Sequence, residues 1–331
     1  MTVELDRRED TAIFRYPSGY DRVVNELNDL LDRRDRGELA DAGYVSGLEE
    51  LVARNPWFID GHAHLGSALY RLGETESALA SCMRGYSLGT ELLTPDMQEL
   101  VEWGHLENRP FLRAALGAAL CHLRLGEREE AISVMERILL WNPDDNQGIR
   151  YLIGSEYLRA GQESRAETFF ETEAPGYPPY WYEKALLFLR QDRHVAAATS
   201  LRRGFVENGY IAEILCGNPD PRPIGVWHGW AFAEPELAKE YAESHGGLWH
   251  ETAHATSFLR WLHMHPLIMF ERAAILELSE RLLWELDAER RESISRMRDE
   301  ALAQIDDELS EEVVVDRVDR SGSTVSPWLF C

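Results

Sequence analysis

Lysine is nearly absent from this chain of 331 residues: only Lys184 and Lys239 occur, so the other 32 of its 34 cationic side chains are arginines. Against 58 aspartates and glutamates this leaves a net charge of −24. A summed field of that sign repels phosphate backbones and anionic bilayers, which argues against nucleic-acid and membrane-surface partners. Long apolar runs are missing too. The longest uncharged stretches, residues 223–233 and 261–270, reach about ten residues, half of the ~20 that a membrane-crossing helix needs. Cys82, Cys121, Cys216 and Cys331 show no paired or CxxC spacing, which excludes a disulfide framework or a structural zinc domain. Residues 1–15 alternate acids and bases with no apolar core of a signal peptide. A reducing cytoplasm is the expected location. No glycine-rich phosphate loop and no GxSxG elbow occurs, so no cofactor is expected.

What is present is ordinary for a soluble globular chain: 44% hydrophobic residues, 28% charged, 24 glycines and 14 prolines. The length fits about two domains or one elongated repeat array. Self-similarity decides for the array. Arg71-Leu72-Gly73 is followed by Ala78, and Arg124-Leu125-Gly126 by Ala131. A third copy reads Arg159-Ala160-Gly161 with Ala166, and a degenerate fourth reads Arg190-Gln191-Asp192 with Ala197. Gly126 and Gly161 lie 35 residues apart, and Gly161 and Asp192 lie 31 apart; Gly73 and Gly126 are separated by 53. Glycine after a helix takes the left-handed conformation that ends it without a Cβ penalty. The small alanine lets a second helix approach the first. Asn55-Pro56, Asn142-Pro143 and Pro178 close the second helices, because proline cannot extend a preceding helix. Each copy is therefore expected to be a helical hairpin whose apolar faces require stacking on neighbours.

Over about residues 45–210 this pattern resembles the tetratricopeptide-repeat superfamily. More narrowly, Glu107-Asn108-Arg109-Pro110, Arg124-Leu125-Gly126 and the run from Asn142-Pro143 to Arg150-Tyr151 look like the repeats of the suppression-of-tumorigenicity family and its bacterial relatives. The expected fold is all-α: a tetratricopeptide-like α-solenoid of about four to five hairpins with a helical C-terminal extension. Residues 1–44 read as a helical lead-in and 45–210 as the array, with an inserted helix near 95–103 signalled by Thr94-Pro95-Asp96. Residues 211–265 read as linker and capping helices. Residues 266–331 read as one long amphipathic, acidic helix and a flexible tail.

The resemblance implies a non-catalytic scaffold that binds a protein or peptide in a concave groove. Arg71, Arg124, Arg159 and Arg190 share one repeat position on the helix that lines such a groove, so they are expected to form a ladder for acidic or C-terminal carboxylates. Tyr70, Tyr151 and Tyr182 would supply packing area. The bland alternative is that a basic residue before a C-cap glycine only complements the helix dipole.

Two other readings stay open. His250-Glu251-Thr252-Ala253-His254 is a literal HExxH, which on one helix places two imidazoles on one face to bind zinc, with the glutamate activating water. That would make the chain a zinc-dependent hydrolase, with His263, His265, Glu277 or Glu280 as a third ligand. However, Gly246-Gly247 just before the motif and Thr252 as a natural N-cap place a helix boundary inside it. The pairs His62/His64 and His263/His265 point to different helix faces and read as packing residues. The second reading is a structural subunit that forms a homo-oligomer through the helix after Pro266. In the acidic run of residues 299–319, Glu311-Glu312-Val313-Val314 has the chemistry to fold back on the arginine ladder, and the apolar end from Pro327 can dock on its own core or on another chain.

Overall fold

The computed structural model describes residues 2–94, 97, 99–227 and 231–330. It is 70% helical, with sixteen α-helices among the described residues and almost no sheet. The all-α helical-repeat architecture expected from the glycine and alanine spacing is the one observed. The chain divides into two compact units, residues 1–156 and 157–331. No helix among the described residues is long and apolar enough to cross a membrane.

Unit one opens with an antiparallel hairpin instead of a helical lead-in. Strands β1 (Glu4–Arg7) and β2 (Ala12–Arg15) pair with Leu5 opposite Phe14. Ala12, Ile13 and Phe14 are buried. Beyond β2 come helices α1 (Tyr20–Asp35), α2 (Asp41–Arg54), α3 (Ile59–Arg71), α4 (Thr75–Thr90), α5 (Arg109–Leu125) and α6 (Arg128–Trp141), packed pairwise, with α5 also lying against α3 and α4. Buried Asn108 staples the hairpin to this stack: its Oδ1 accepts from Phe14 N, and its Nδ2 donates to the carbonyls of Ala12 and Glu102. Of the inserted helix expected near 95–103, Pro95, Asp96 and Gln98 lie outside the described residues. The described remainder is not helical. Leu100 instead bridges to Thr11, its N–H donating to Asp10 O at 2.9 Å and its carbonyl accepting from Ala12 N at 2.8 Å.

The repeat signature maps onto one local geometry. Gly73, Gly126 and Gly161 have φ of +83°, +80° and +70°, and Asp192, at the degenerate position, has +57°. In all four, the next residue's N–H reaches back five residues to a helix carbonyl: Glu74 to Leu69, Glu127 to His122, Gln162 to Tyr157 and Arg193 to Phe188, at 2.9–3.0 Å. This is the Schellman closure that satisfies carbonyls left open at a helix end. Ala78, Ala131, Ala166 and Ala197, each in the first turn of the following helix, are fully buried. The turn after α1 has the same closure, Glu38 N to Arg33 O at 2.8 Å with Gly37 at φ +73°. There the second helix starts four residues after the glycine instead of two, so buried Tyr44 occupies the alanine's place.

Helix α7 (Arg150–Arg159) carries the chain across the unit boundary. Unit two continues with α8 (Glu163–Glu173), α9 (Pro179–Arg190), α10 (His194–Glu207), α11 (Gly209–Leu215), α12 (Pro235–Glu251) and α13 (Ala255–His263). After Pro266 the expected single long helix is three: α14 (Pro266–Trp284), α15 (Ala288–Ala303) and α16 (Asp307–Val313). The breaks fall at Asp287 and Asp306, whose carboxylates accept the N–H groups of Arg290 and Glu308 and so cap new helices. Helix α16 does not reach the ladder arginines. It packs on α10, where Arg202, 1% exposed, forms a two-pronged pair with Glu271 at 2.5 and 2.9 Å and donates to Ser310 Oγ at 2.8 Å. The C-terminal segment docks on its own core: Trp328 is buried against Phe258, Trp261 and His194.

Candidate binding surfaces

In unit one the ladder position stands at the C-terminal ends of α3 and α5. The Arg124 guanidinium lies flat on the Tyr70 ring, its Cζ 3.4 Å from the centroid, and Nη1 donates to the Tyr70 carbonyl at 2.6 Å. Tyr70 is therefore covered by a ladder arginine instead of offering its face to a ligand. Arg71, by contrast, is exposed and makes no hydrogen bond or ion pair with any described residue. It lines an open cavity of about 370 Å³ with Arg34, Asp41, Val45, Ala68 and Leu72. Arg34 is braced there by the Tyr44 ring, 4.7 Å from its Cζ, and by Asp35 at 2.7 Å. Tyr151 is half-buried in the first turn of α7.

A second cavity of unit one, about 220 Å³, opens between α3 and α5, with Ala63, Leu116 and Leu120 as apolar lining and His64, Ser67 and Arg113 as polar lining. Arg113 Nη1 sits 2.9 Å from Asp60 Oδ1 and 3.2 Å from His64 Nε2. Burial pulls the His64 imidazole below its ordinary pKa, with Asp60 opposing that shift, so a neutral ring faces the guanidinium.

In unit two the equivalent arginines are occupied by the chain itself. Arg159 Nη2 donates to Ser244 O at 2.8 Å, and Arg190 Nε donates to Thr252 Oγ1 at 3.1 Å, so both hold the extension helix α12 and the residue that ends it. Arg190 Nη1 also reaches Leu158 O at 3.5 Å. Helix α12 turns buried Tyr241 and Trp249 toward α9; the His245 ring stacks on Tyr241 with centroids 4.8 Å apart, and its Nε2 lies 3.2 Å from buried Glu183. Burial, then the charge of Arg159, pushes the His245 pKa down to about 3. Tyr182 is fully buried, its hydroxyl donating to Asn208 O at 2.6 Å. The expected ladder of four free arginines is thus corrected to one free arginine, Arg71, and the expected groove role of Tyr182 to a core role. Ser244 and Thr252 carry no sequence signal for this contact, since a backbone carbonyl and a hydroxyl occur everywhere.

The HExxH motif does not lie on one helix. Helix α12 ends at Glu251, Thr252 is extended, and His254 has φ +60° as the residue preceding α13. Exposed His250 and His254 therefore lack the i, i+4 relation that zinc ligation needs. Among the described residues no three His, Cys, Asp or Glu side chains cluster closely enough to hold a metal ion. Of the possible third ligands, His263 packs edge-on against Phe205 with its pKa pushed down to about 4 by burial, and Glu277 and Glu280 stand on an exposed helix face. Glu251 and His254 instead line an open cavity of about 510 Å³ with Arg190, Asp192, His194 and Trp328. It presents charges of both signs beside an aromatic wall.

Residues 112–145, most of α5 with all of α6 and the turn after it, match the tetratricopeptide repeat family model. No curated protein matches the chain.

Proposed function

We propose that this chain is a non-catalytic scaffold of the cytoplasm that binds a protein or peptide partner through unit one, with Arg71 receiving an acidic or C-terminal carboxylate. The tetratricopeptide match supports the scaffold role in general, since such repeats serve protein–protein recognition. Free Cys82 and Cys121, both buried, are in keeping with a reducing compartment. The likeness of the repeats to those of the suppression-of-tumorigenicity family adds no chemistry to this reading.

One observation carries the site: Arg71 is the ladder member whose guanidinium is uncommitted, and it shares an apolar-floored cavity with the braced Arg34. A guanidinium presents a planar fork to a carboxylate, and Val45, Ala68 and Leu72 give the adjoining side chain an apolar seat. Fluorescence anisotropy with acidic peptides, each made with a free and an amidated C-terminus, tests this. Arg71→Ala is expected to weaken binding about tenfold, the loss of one charge-assisted pair. Arg190→Ala should leave affinity unchanged. Equal affinities for wild type and Arg71→Ala overturn the site.

A further inference from the structure

The outer face of α14 is apolar and uncovered. Met269, Phe270, Ala273, Ala274, Glu277, Glu280, Arg281 and Trp284 are all exposed, and at 100° per residue they fall on one stripe, opposite buried Ile268 and Ile275. Phe270 and Trp284 are 77% and 76% exposed, and Leu286, just past the helix, is 93% exposed. Large apolar side chains concentrated in this way mark an interaction surface. We propose that this face is covered by a second copy of the chain, the two α14 helices pairing antiparallel about a two-fold axis near Ser279. The proposal stands apart from the peptide site, which lies in unit one.

The stripe complements itself in that register. When residue 279 meets 279, Glu277 faces Arg281 of the second copy, and the reciprocal pair repeats across the axis. Neither side chain has an ion-pair partner within the chain among the described residues. Trp284 then faces Ala274 of the second copy, with Ala273 beside it, so the largest side chain of the stripe meets its smallest. Parallel pairing would set Glu277 against Glu277 and Arg281 against Arg281, which is unfavourable. A chain of net charge −24 also repels its own copy, so association needs a locally matched face with an apolar centre, and this stripe has both. Helix α14 has 19 residues and spans about 28 Å, which places one helix pair at the low end of stable interfaces and makes the dimer concentration-dependent.

Sedimentation velocity on the full chain tests the proposal. The expected result is a weight-average mass that rises from 37.9 kDa toward twice that value as concentration increases. Trp284→Asp should abolish the rise. Glu277→Arg and Arg281→Glu, each alone, should weaken association about tenfold, and the double reversal should restore it. All these positions are exposed, so circular dichroism should be unchanged in every variant. A mass fixed at 37.9 kDa, or a dimer indifferent to both single reversals, overturns it.

Discussion

Arg124 closes over Tyr70 so that one guanidinium stacks on the ring at 3.4 Å and donates to the same residue's carbonyl at 2.6 Å. Fifty-four residues of chain separate the two, yet the contact joins the ends of α3 and α5. Arg190 makes the corresponding bond to Leu158, one residue before Arg159 just as Tyr70 is one before Arg71. The recurring arginine is therefore a clasp between successive helix ends, where it also neutralises the carbonyl-rich terminus.

Removing the clasp should cost stability. Arg124→Ala loses a cation–π contact worth about 0.5–1 kcal/mol and an exposed charge-assisted bond, so a loss of about 1 kcal/mol is expected. Arg124→Lys should recover only part, because an ammonium cannot stack flat and donate at once. Urea unfolding of the three proteins checks this; identical midpoints for wild type and Arg124→Ala would show the contact to be energetically empty.

The turn positions give a paired expectation of opposite sign. Gly126 sits at φ +80°, where any Cβ is strained, so Gly126→Ala should destabilise by about 1 kcal/mol. Asp192 already bears that strain at φ +57°. Asp192→Gly should be neutral or stabilising, by up to about 1 kcal/mol. Thermal unfolding of both variants decides it, and a clear loss in Asp192→Gly would mean that the carboxylate makes a compensating contact.

Hairpin phase was legible in the sequence because two steric requirements recur at fixed spacing: a left-handed residue at the turn and a small residue beneath it. Where either changes, legibility fails. The α1/α2 pair went unread because its turn is two residues longer and Tyr44 replaces the alanine. The three-way division of the C-terminal helices depended on Asp287 and Asp306 acting as caps within a charged stretch where acids are common. Which ladder arginines are free was not legible at all, since it turns on where α12 docks, and that is decided by Tyr241 and Trp249 finding apolar cover far along the chain. The boundary inside HExxH was readable from Gly246-Gly247 and Thr252, although the break came at Thr252 and not at the glycines.

The Arg202–Glu271 pair anchors the C-terminal helices to α10. Arg202 is 1% exposed, so Glu271→Ala strands a buried guanidinium and should cost about 3–5 kcal/mol, while replacing both by Met and Leu should cost much less. Denaturant unfolding of single and double variants measures the difference. Additive losses would show that the two side chains act independently.

Protonation of His263 should limit acid stability. Burial, with Arg272 adding to it, holds the imidazole at about 4 in the folded chain against an ordinary 6.5. Below pH 6.5 the unfolded chain binds a proton that the folded chain refuses, so this residue's contribution falls as pH drops from 6.5 to about 4. His245, at about 3, acts in the same direction over a wider range. Glu207 opposes both: burial raises its carboxyl from 4.5 to about 7, so its contribution is full below 4.5 and is lost as pH rises through 7. Because the opposing groups overlap between pH 4.5 and 6.5, the wild-type curve alone does not isolate either. His263→Gln removes the titrating ring while remaining neutral, so its unfolding free energy should fall less steeply than wild type over that window. Glu207→Gln should instead flatten the decline toward pH 7. Parallel wild-type and His263→Gln curves would mean that the ring takes up its proton equally in both states, and the burial of His263 would then carry no pH dependence.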